Sequence, residues 1–449
     1  MLVARSSAWP ITLAAAIRVA IWFLIPDTRF ASDEESYYKA GMQLLSSGEQ
    51  DMFWPPATGW LIAGAAWLLQ TTDIRWLRLV WIVLDIGCLL AIRRLARQVA
   101  DSLLDDNGDR RQRFVTAATF GYAVYLPAIA FAEFTTSETP ALLLTLIILA
   151  VATDPHATWR GFAAAGTLAG VLALTRPSVL PLLVFIPAAV VVAAPRGPRL
   201  VHSALFVLLG TMVVTGAVAR NWLVTGELTI ARNSAYNLYL GNRDFYAEDL
   251  DLFYPVATPA QIEFRRQYFG GELAYPTGSA DELQREAFAW IASHPDTFAR
   301  RALGRLARVF VPKTDVLELI GGEQGAGIFS ARTLTLLAIT NLQWAIVLFG
   351  GMAGLAWLWQ RSPRVGVPFV FAVLGSLPLC LIAISKPRYA FVFEPVLLLS
   401  AGVILLGPRA QLASLGRPQR ITLAIVLAFL IWAWVAWLVF AFSSRLALT

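Results

Sequence analysis

Residues 93–113, RRLARQVADSLLDDNGDRRQR, carry six arginines: Arg93, Arg94, Arg97, Arg110, Arg111 and Arg113. They join two apolar runs, 76–96 and 114–132, each near the roughly 20 residues an α-helix needs to cross the hydrocarbon core. Short cytoplasmic connections of membrane proteins collect Lys and Arg, so this stretch is expected in the cytoplasm. Three other connections carry Arg196 and Arg199, Arg361 and Arg364, and Arg409, Arg417 and Arg420. All four fall on one side if eleven runs cross: 9–26, 76–96, 114–132, 139–153, 159–176, 178–194, 200–220, 331–357, 365–384, 388–407 and 420–442. A further apolar stretch, 55–70, opens with Pro55-Pro56 and contains Gly59 and Gly64. Counted as a crossing, it would move the six arginines outside. It is therefore expected as a re-entrant or surface helix, with the N-terminus inside and the C-terminus outside.

Composition agrees with this reading. The chain is 57% hydrophobic and 15% charged, against about 45–50% and 25% in soluble domains. Its mean hydropathy is +0.61. The fold class expected is an all-α polytopic membrane protein with about eleven transmembrane helices and outer juxtamembrane helices. Both cysteines, Cys88 and Cys380, lie in apolar runs, so there is no disulfide framework. Three scattered histidines, His156, His202 and His294, give a His-rich zinc cage or a Ser-His-Asp triad little to work with. The net charge of +6 is ascribed to positive-inside loops. No basic stripe interleaved with aromatics points to nucleic acid. The run 9–26 lacks a small-x-small cleavage site at its exit, Asp27-Thr28-Arg29-Phe30, and is expected as an uncleaved first span.

Two outer segments follow from this topology, 27–75 and 221–330. The first is acidic, with Asp27, Asp33, Glu34, Glu35, Glu49, Asp51 and Asp73. The second is too long for a structureless loop. Within it 281–310 reads as a helix interrupted at His294-Pro295. Its Arg300, Arg301, Arg305 and Arg308 alternate with apolar residues, which suits a helix lying on the outer membrane surface near lipid phosphates. Inside the membrane, Arg18 and Asp85 each lie about nine residues from the outer helix end, near 13 Å deep. Equal depth allows a buried pair, structural or acting as a proton or ion relay. Glu394, beside Pro395, is expected just inside an outer helix end, where it is able to face the outer cavity.

The densest polar cluster outside is Ser32-Asp33-Glu34-Glu35-Ser36-Tyr37-Tyr38. Ser32 or Asp33 suits the cap of a short helix running through Leu45. A carboxylate at such a helix start on the membrane surface also suits a general base acting on a hydroxyl.

This cluster, with Ala40, Leu44, Gly48 and Pro55-Pro56 after it, resembles the first outer loop of GT-C glycosyltransferases. The group it is most similar to is that of protein O-mannosyltransferases and aminoarabinose transferases, in its bacterial members. Gly170 with Leu174-Thr175-Arg176-Pro177 resembles a span pair of that group. Arg220-Asn221 with Gly226, then Asn237-Leu238-Tyr239-Leu240-Gly241-Asn242, is similar to its segment after the seventh span. Lys386-Pro387-Arg388-Tyr389 with Pro395 is similar to a late outer motif. The likeness runs through most of the chain in order.

The resemblance implies transfer of a hexosyl or pentosyl unit from a polyprenyl-phosphate donor to a glycan, lipid or protein acceptor. Transfer occurs on the non-cytoplasmic face, with inversion, in a bacterial inner membrane. It makes Asp33 the catalytic base with Glu34 its neighbour, and Glu138 a binding carboxylate. Arg176, Arg220, Asn237, Asn242, Lys386, Arg388 and Tyr389 follow as substrate-binding residues. Independently, inverting transfer needs one base and positive charge for the departing phosphate. The loop-charge topology puts Arg176, Arg220, Lys386 and Arg388 on the side of Asp33. No metal is required, although Asp33 with Glu138 is able to hold a divalent cation if the loops meet. The sequence departs from the family in having three acidic residues in a row. It also has Trp54-Pro55 where the aminoarabinose enzymes have lysine-proline. The organisation expected is a seven-span module over 1–220, an outer loop over 221–330 and a four-span module over 331–449. A transporter or flippase of lipid-linked sugars, and an O-antigen ligase or polymerase, are the rival readings. The first predicts polar groups at mid-membrane on broken helices.

Overall fold

The computed structural model describes residues 8–25, 30–31, 33–104, 108–193, 199–242, 279–320, 331–406 and 415–446. Arg5, Asp27, Ser32, Arg196 and Arg409 lie outside them, as does the stretch 243–278. The protein is an all-α polytopic membrane protein. Each of the eleven apolar runs carries helix: α1 (Trp9–Leu24), α4 (Ile74–Leu103), α5 with α6 (Gly108–Ala123, Leu126–Ala132), α7 (Glu138–Ala152), α8 (Trp159–Thr175), α9 (Leu182–Ala193), α10 (Arg199–Thr225), α14 with α15 (Ala331–Ala345, Gly351–Arg361), α16 with α17 (Pro363–Gly375, Pro378–Ile382), α18 (Glu394–Leu406) and α19 (Arg417–Leu446). Between them lie α2 (Glu34–Ser47), α3 (Pro56–Leu69), α11 (Arg232–Gly241), α12 (Ala280–Ser293) and α13 (Pro295–Phe310). Among the described residues, Arg199–Thr225, Ala331–Arg361, Pro363–Ile382 and Arg417–Val439 are long and apolar enough to cross a membrane. Eleven crossings are the expectation of the loop charges.

The 55–70 stretch forms α3, 14 residues long, or about 21 Å against a core of about 30 Å. Both its flanks bond to neighbouring segments. The Met52 and Phe53 carbonyls accept from the Arg232 and Asn233 amides, and the Thr72 carbonyl accepts from Tyr38 of α2 at 2.7 Å.

The run 114–132 is not one straight helix. It bends by 56° between α5 and α6, and the backbone groups freed there need partners because lipid offers none. Gln343 of α14 supplies them: its Oε1 accepts the Leu126 amide and its Nε2 donates to the Val124 carbonyl, each at 2.9 Å. The Ala123 carbonyl accepts from Arg18 Nη1 at 2.8 Å. Arg18 also pairs with Asp85 at 2.5 Å, and Asp85 accepts from Tyr122 at 2.7 Å. The expected buried pair therefore forms and ties α1, α4 and α5 together.

Close helix crossings come from small residues, which let backbones approach. A Cβ at Gly166 would overlap the Phe206 carbonyl, and one at Gly170 the Gly210 carbonyl and Val213. Matching 166 with 206 and 170 with 210–213 makes α8 and α10 run in the same direction. Their ends, with Arg176 and Arg220, thus lie at one end of the bundle. The arginine-bearing ends lie at the other, where Arg94 pairs with Asp154 and Arg364 donates to the Thr153 carbonyl. One apolar core joins residues from Ala14 to Leu430, so side chains of 1–220 and 331–449 pack together.

The interruption at His294-Pro295 falls between α12 and α13. The arginines of α13 differ from expectation. Arg301 and Arg305 are buried rather than turned to the membrane surface. Arg305 donates to the Leu381 and Gly241 carbonyls and to Asn242, and the Arg301 guanidinium lies 4.7 Å over Trp290. Arg305 thereby joins loops, and Arg301 packs α13 on α12. Arg300 stays exposed.

Candidate active site

Asp33 occupies the N-cap position of α2, yet its side chain caps nothing. Its carboxylate turns instead to Arg388, whose Nη2 donates to Oδ2. Arg388 lies in the 3₁₀ turn Pro387–Val392, far along the chain. Its Nε stands 3.6 Å from Glu138 Oε1. Glu138 begins α7, where the helix dipole favours a carboxylate, and it pairs with Arg176 at 2.8 Å. The Arg176 guanidinium reaches Ser137 at 3.3 Å and lies 5.0 Å over the Tyr389 ring. Asp33, Glu138, Arg176, Arg388 and Tyr389 thus form one linked group. Arg176, Glu138 and Arg388 are buried, whereas the Asp33 side chain keeps 28% exposure, enough for an incoming hydroxyl to reach it.

The charges act on one another. Burial by itself would push the Asp33 carboxyl up, but Arg388, with Lys386 and Arg176, outweighs it and holds the group down at about 2. Lys386 is exposed and makes no ion pair among the described residues. The neighbouring Arg388 charge pulls its ammonium down to about 8. Tyr37 of α2 is raised by burial and by Asp33 and Glu138, so its phenol stays neutral.

Glu34 lies one step beneath, fully buried, with both oxygens engaged. Arg78 donates to Oε1 at 3.0 Å and to Oε2 at 2.7 Å. The Thr135 amide donates to Oε1 at 2.8 Å and the Ala31 amide to Oε2 at 3.2 Å. The starts of α2 and α4 and the turn before α7 are thereby fastened around one carboxylate.

The remaining expected residues lie apart from Asp33. Arg220 lines a half-open cleft of about 260 Å³ with Gln50, Trp60, Leu174, Val213 and Asn221. It donates to Asn221 at 3.1 Å and faces no carboxylate among the described residues. Asn242 is buried and spent on the Leu238 and Ile382 carbonyls, both at 2.7 Å, so it joins loops. Asn237 donates to Asn233 at 2.7 Å, and its carbonyl accepts the Ile384 amide. Glu394 does not face an open cavity: it is wholly buried against Lys313 and Tyr125.

Sequence reasoning missed Arg78, Lys313 and Asp315. A cation three residues inside an apolar run, as Arg78 is, implies a buried carboxylate partner, and that signal was available. Asp315 faces Lys313, Arg388 and Lys386; burial raises its carboxyl, and among the described residues its buried Oδ2 has no hydrogen bond. Nothing in its sequence surroundings marks it.

Among the described residues, no three Asp, Glu, His or Cys side chains converge in a metal-binding group. Asp33 and Glu138 do meet, as the cation expectation required, but the Arg388 guanidinium stands between them. A metal held by both would have to displace it.

No protein-family model and no curated protein matches the chain. Among solved structures, it is similar to the archaeal oligosaccharyltransferase AglB from Archaeoglobus fulgidus in complex with an inhibitory peptide and a dolichol-phosphate. The TM-score is 0.45 at 15% identity, over 95% of this chain and 54% of that one. It is also similar to ArnT from Cupriavidus metallidurans bound to undecaprenyl phosphate, with a TM-score of 0.40 at 15% identity, over 86% of this chain and 78% of that one. The chain spans about half the length of that oligosaccharyltransferase. At such scores the chemistry has to be read from this chain's own side chains.

Proposed function

We propose that the protein is a GT-C-type membrane glycosyltransferase that moves a sugar from a polyprenyl-phosphate donor to an acceptor hydroxyl on the non-cytoplasmic face. The observation that carries the reading is the Asp33–Arg388 contact, with Glu138, Arg176 and Lys386 around it. It combines a reachable, ionised carboxylate with the cations a departing phosphate needs.

In this mechanism the acceptor oxygen bonds to the anomeric carbon as the bond from that carbon to the phosphate oxygen breaks. The electron pair leaves with the lipid phosphate, the acceptor proton goes to Asp33, and the anomeric centre inverts. A carboxylate held at about 2 is a weak base. Arg388 resolves this by exchanging partners: drawn to the phosphate, it frees Asp33, whose basicity rises when the proton must be taken. Lys386, exposed and without an ion pair among the described residues, is the first ammonium the phosphate meets. Glu138 keeps Arg176 and Arg388 in place, and Glu34 fastens the loop beneath. The cleft beside Arg220, walled by Trp60, Leu174 and Val213, suits the isoprenoid chain.

The transporter reading draws on the break between α5 and α6 and on Glu133, buried with neither oxygen hydrogen-bonded among the described residues. The polar groups available to a substrate nevertheless gather at the Asp33 end. The test is turnover by purified protein on a panel of polyprenyl-phosphate sugars, comparing wild type with Asp33→Asn. Loss of at least about a hundredfold is expected. Wild-type-like turnover in the variant would remove Asp33 from the chemistry.

A further inference from the structure

The segment that presents Arg388 is a six-residue 3₁₀ helix, Pro387–Val392, which leads into α18. Lys386 before it is extended (φ −137°, ψ 152°), and Pro387 has no amide proton to donate. Further grip comes from elsewhere in the chain. Ser385 Oγ donates to the Arg305 carbonyl at 2.8 Å, and the Lys313 ammonium donates to the Pro387 carbonyl.

Lys313 is 1% exposed and pairs with Glu394 on the first turn of α18, itself wholly buried. The ammonium lies 4.7 Å over the Trp344 ring. The second oxygen of Glu394 accepts from Tyr125 at 2.7 Å, at the break between α5 and α6. Asn341 of α14 pins the Lys313 backbone twice, accepting from its amide at 2.6 Å and donating to its carbonyl at 3.0 Å. Asp315 is a second carboxylate facing this ammonium. A buried ion pair of this kind is often no more stabilising than apolar side chains of the same volume. Stability alone therefore does not call for a lysine here, whereas fixing a turn does.

We propose that Lys313 is a positioning residue of the active site: its ammonium, held between Glu394 and the Pro387 carbonyl, fixes the turn that carries Arg388 against Asp33 and Glu138. The inference rests on the reading of Asp33 as the base. Lys313 touches no substrate and acts through Pro387. The charged and titratable groups around Asp33 are Arg388, Lys386 and Tyr389 on this turn, Arg176 at the end of α8, Glu138 on α7 and Tyr37 on α2. Two of the three cations ride on the turn that Lys313 grips, so loosening it withdraws both from Asp33 together.

The experiment uses full-length protein in lipid nanodiscs and two variants. Lys313→Met leaves Glu394 without its cation; Lys313→Met with Glu394→Gln removes both charges and guards against misfolding. Amide hydrogen exchange is expected to quicken by about tenfold over 385–392 while α8 and α10 are unchanged. The acid limb of kcat/KM is expected to move up by about one pH unit as Arg388 retreats from Asp33. Unchanged exchange over 385–392 would overturn the proposal. So would faster exchange with the acid limb in place, which is what a merely structural lysine gives. If wild-type protein turns over no donor in the panel, the glycosyltransferase reading fails and this proposal fails with it; wild-type turnover with the acid limb unmoved in both variants overturns the role of Lys313 alone.

Discussion

A carboxylate at the start of a helix ordinarily accepts the first free amides, and Asp33 stands there without doing so because Arg388 takes it. The sequence suggests the position, since acidic residues before a polar helix on the outer face are few. It does not reveal the partner, which lies 355 residues away and reaches Asp33 only through the packing of α7, α8 and α18. Glu34 beside it is drawn inward by Arg78, and the two neighbouring carboxylates thus acquire different work. Lys386 offers a sharp test at this scale. Arg388 lowers its ammonium to about 8, so the charge is present below that pH and lost above it. For the free enzyme, kcat/KM for the donor is expected to fall by about tenfold as pH rises through about 8. Lys386→Arg, which stays protonated, should carry activity past that limb. A limb left in place in Lys386→Arg would mean another group titrates.

At the scale of elements, helices were legible from apolar runs and the break at His294-Pro295 from its proline, while the break within 114–132 was not. The run 114–132 reads as one span, and its only proline, Pro127, falls after the bend. What permits the break is Gln343, more than 200 residues away in the chain, and no local pattern marks a glutamine as the partner of a distant carbonyl. Gln343→Leu, which fills a similar volume and satisfies neither group, is expected to cost about 1–3 kcal/mol for the buried groups left unpaired, read as a lowered unfolding midpoint in micelles. The crossing of α8 and α10 was half legible. Gly170 belongs to a family-like motif, but Gly166 matters equally, because both stand where two backbones nearly touch. A valine at Gly166 would press on the Phe206 carbonyl, backbone that cannot swing aside. Gly166→Val is expected to destabilise by about 1–3 kcal/mol and to spread Arg176 from Arg220, weakening donor capture more than an equally destabilising change in α19.

For the whole molecule, polarity is the property most of the sequence records and the one the packing reproduces. Arginines gather where α4 and α7 end and where α10, α16 and α19 begin, while Asp33, Glu138, Arg176 and Arg388 meet at the opposite end. Loop charge carried this information because orientation is a sum over many exposed residues, and no single contact decides it. The site was only partly legible because it is a sum over few residues from distant segments. The weak link is α3. If it lies along the outer face, residues at both its ends must be accessible from one side. Gln50→Cys and Thr72→Cys, both at exposed or half-exposed positions, are therefore expected to react with a membrane-impermeant thiol reagent added outside intact spheroplasts. Arg97→Cys should react only after the inner face is opened. If Gln50→Cys and Thr72→Cys label from opposite sides, α3 crosses. The arginines of 93–113 would then lie outside, and the charge rule that orients the bundle would be violated by its strongest cluster. Labelling of both from the outside places Asp33 there as well, since Tyr38, five residues on, is bonded to Thr72.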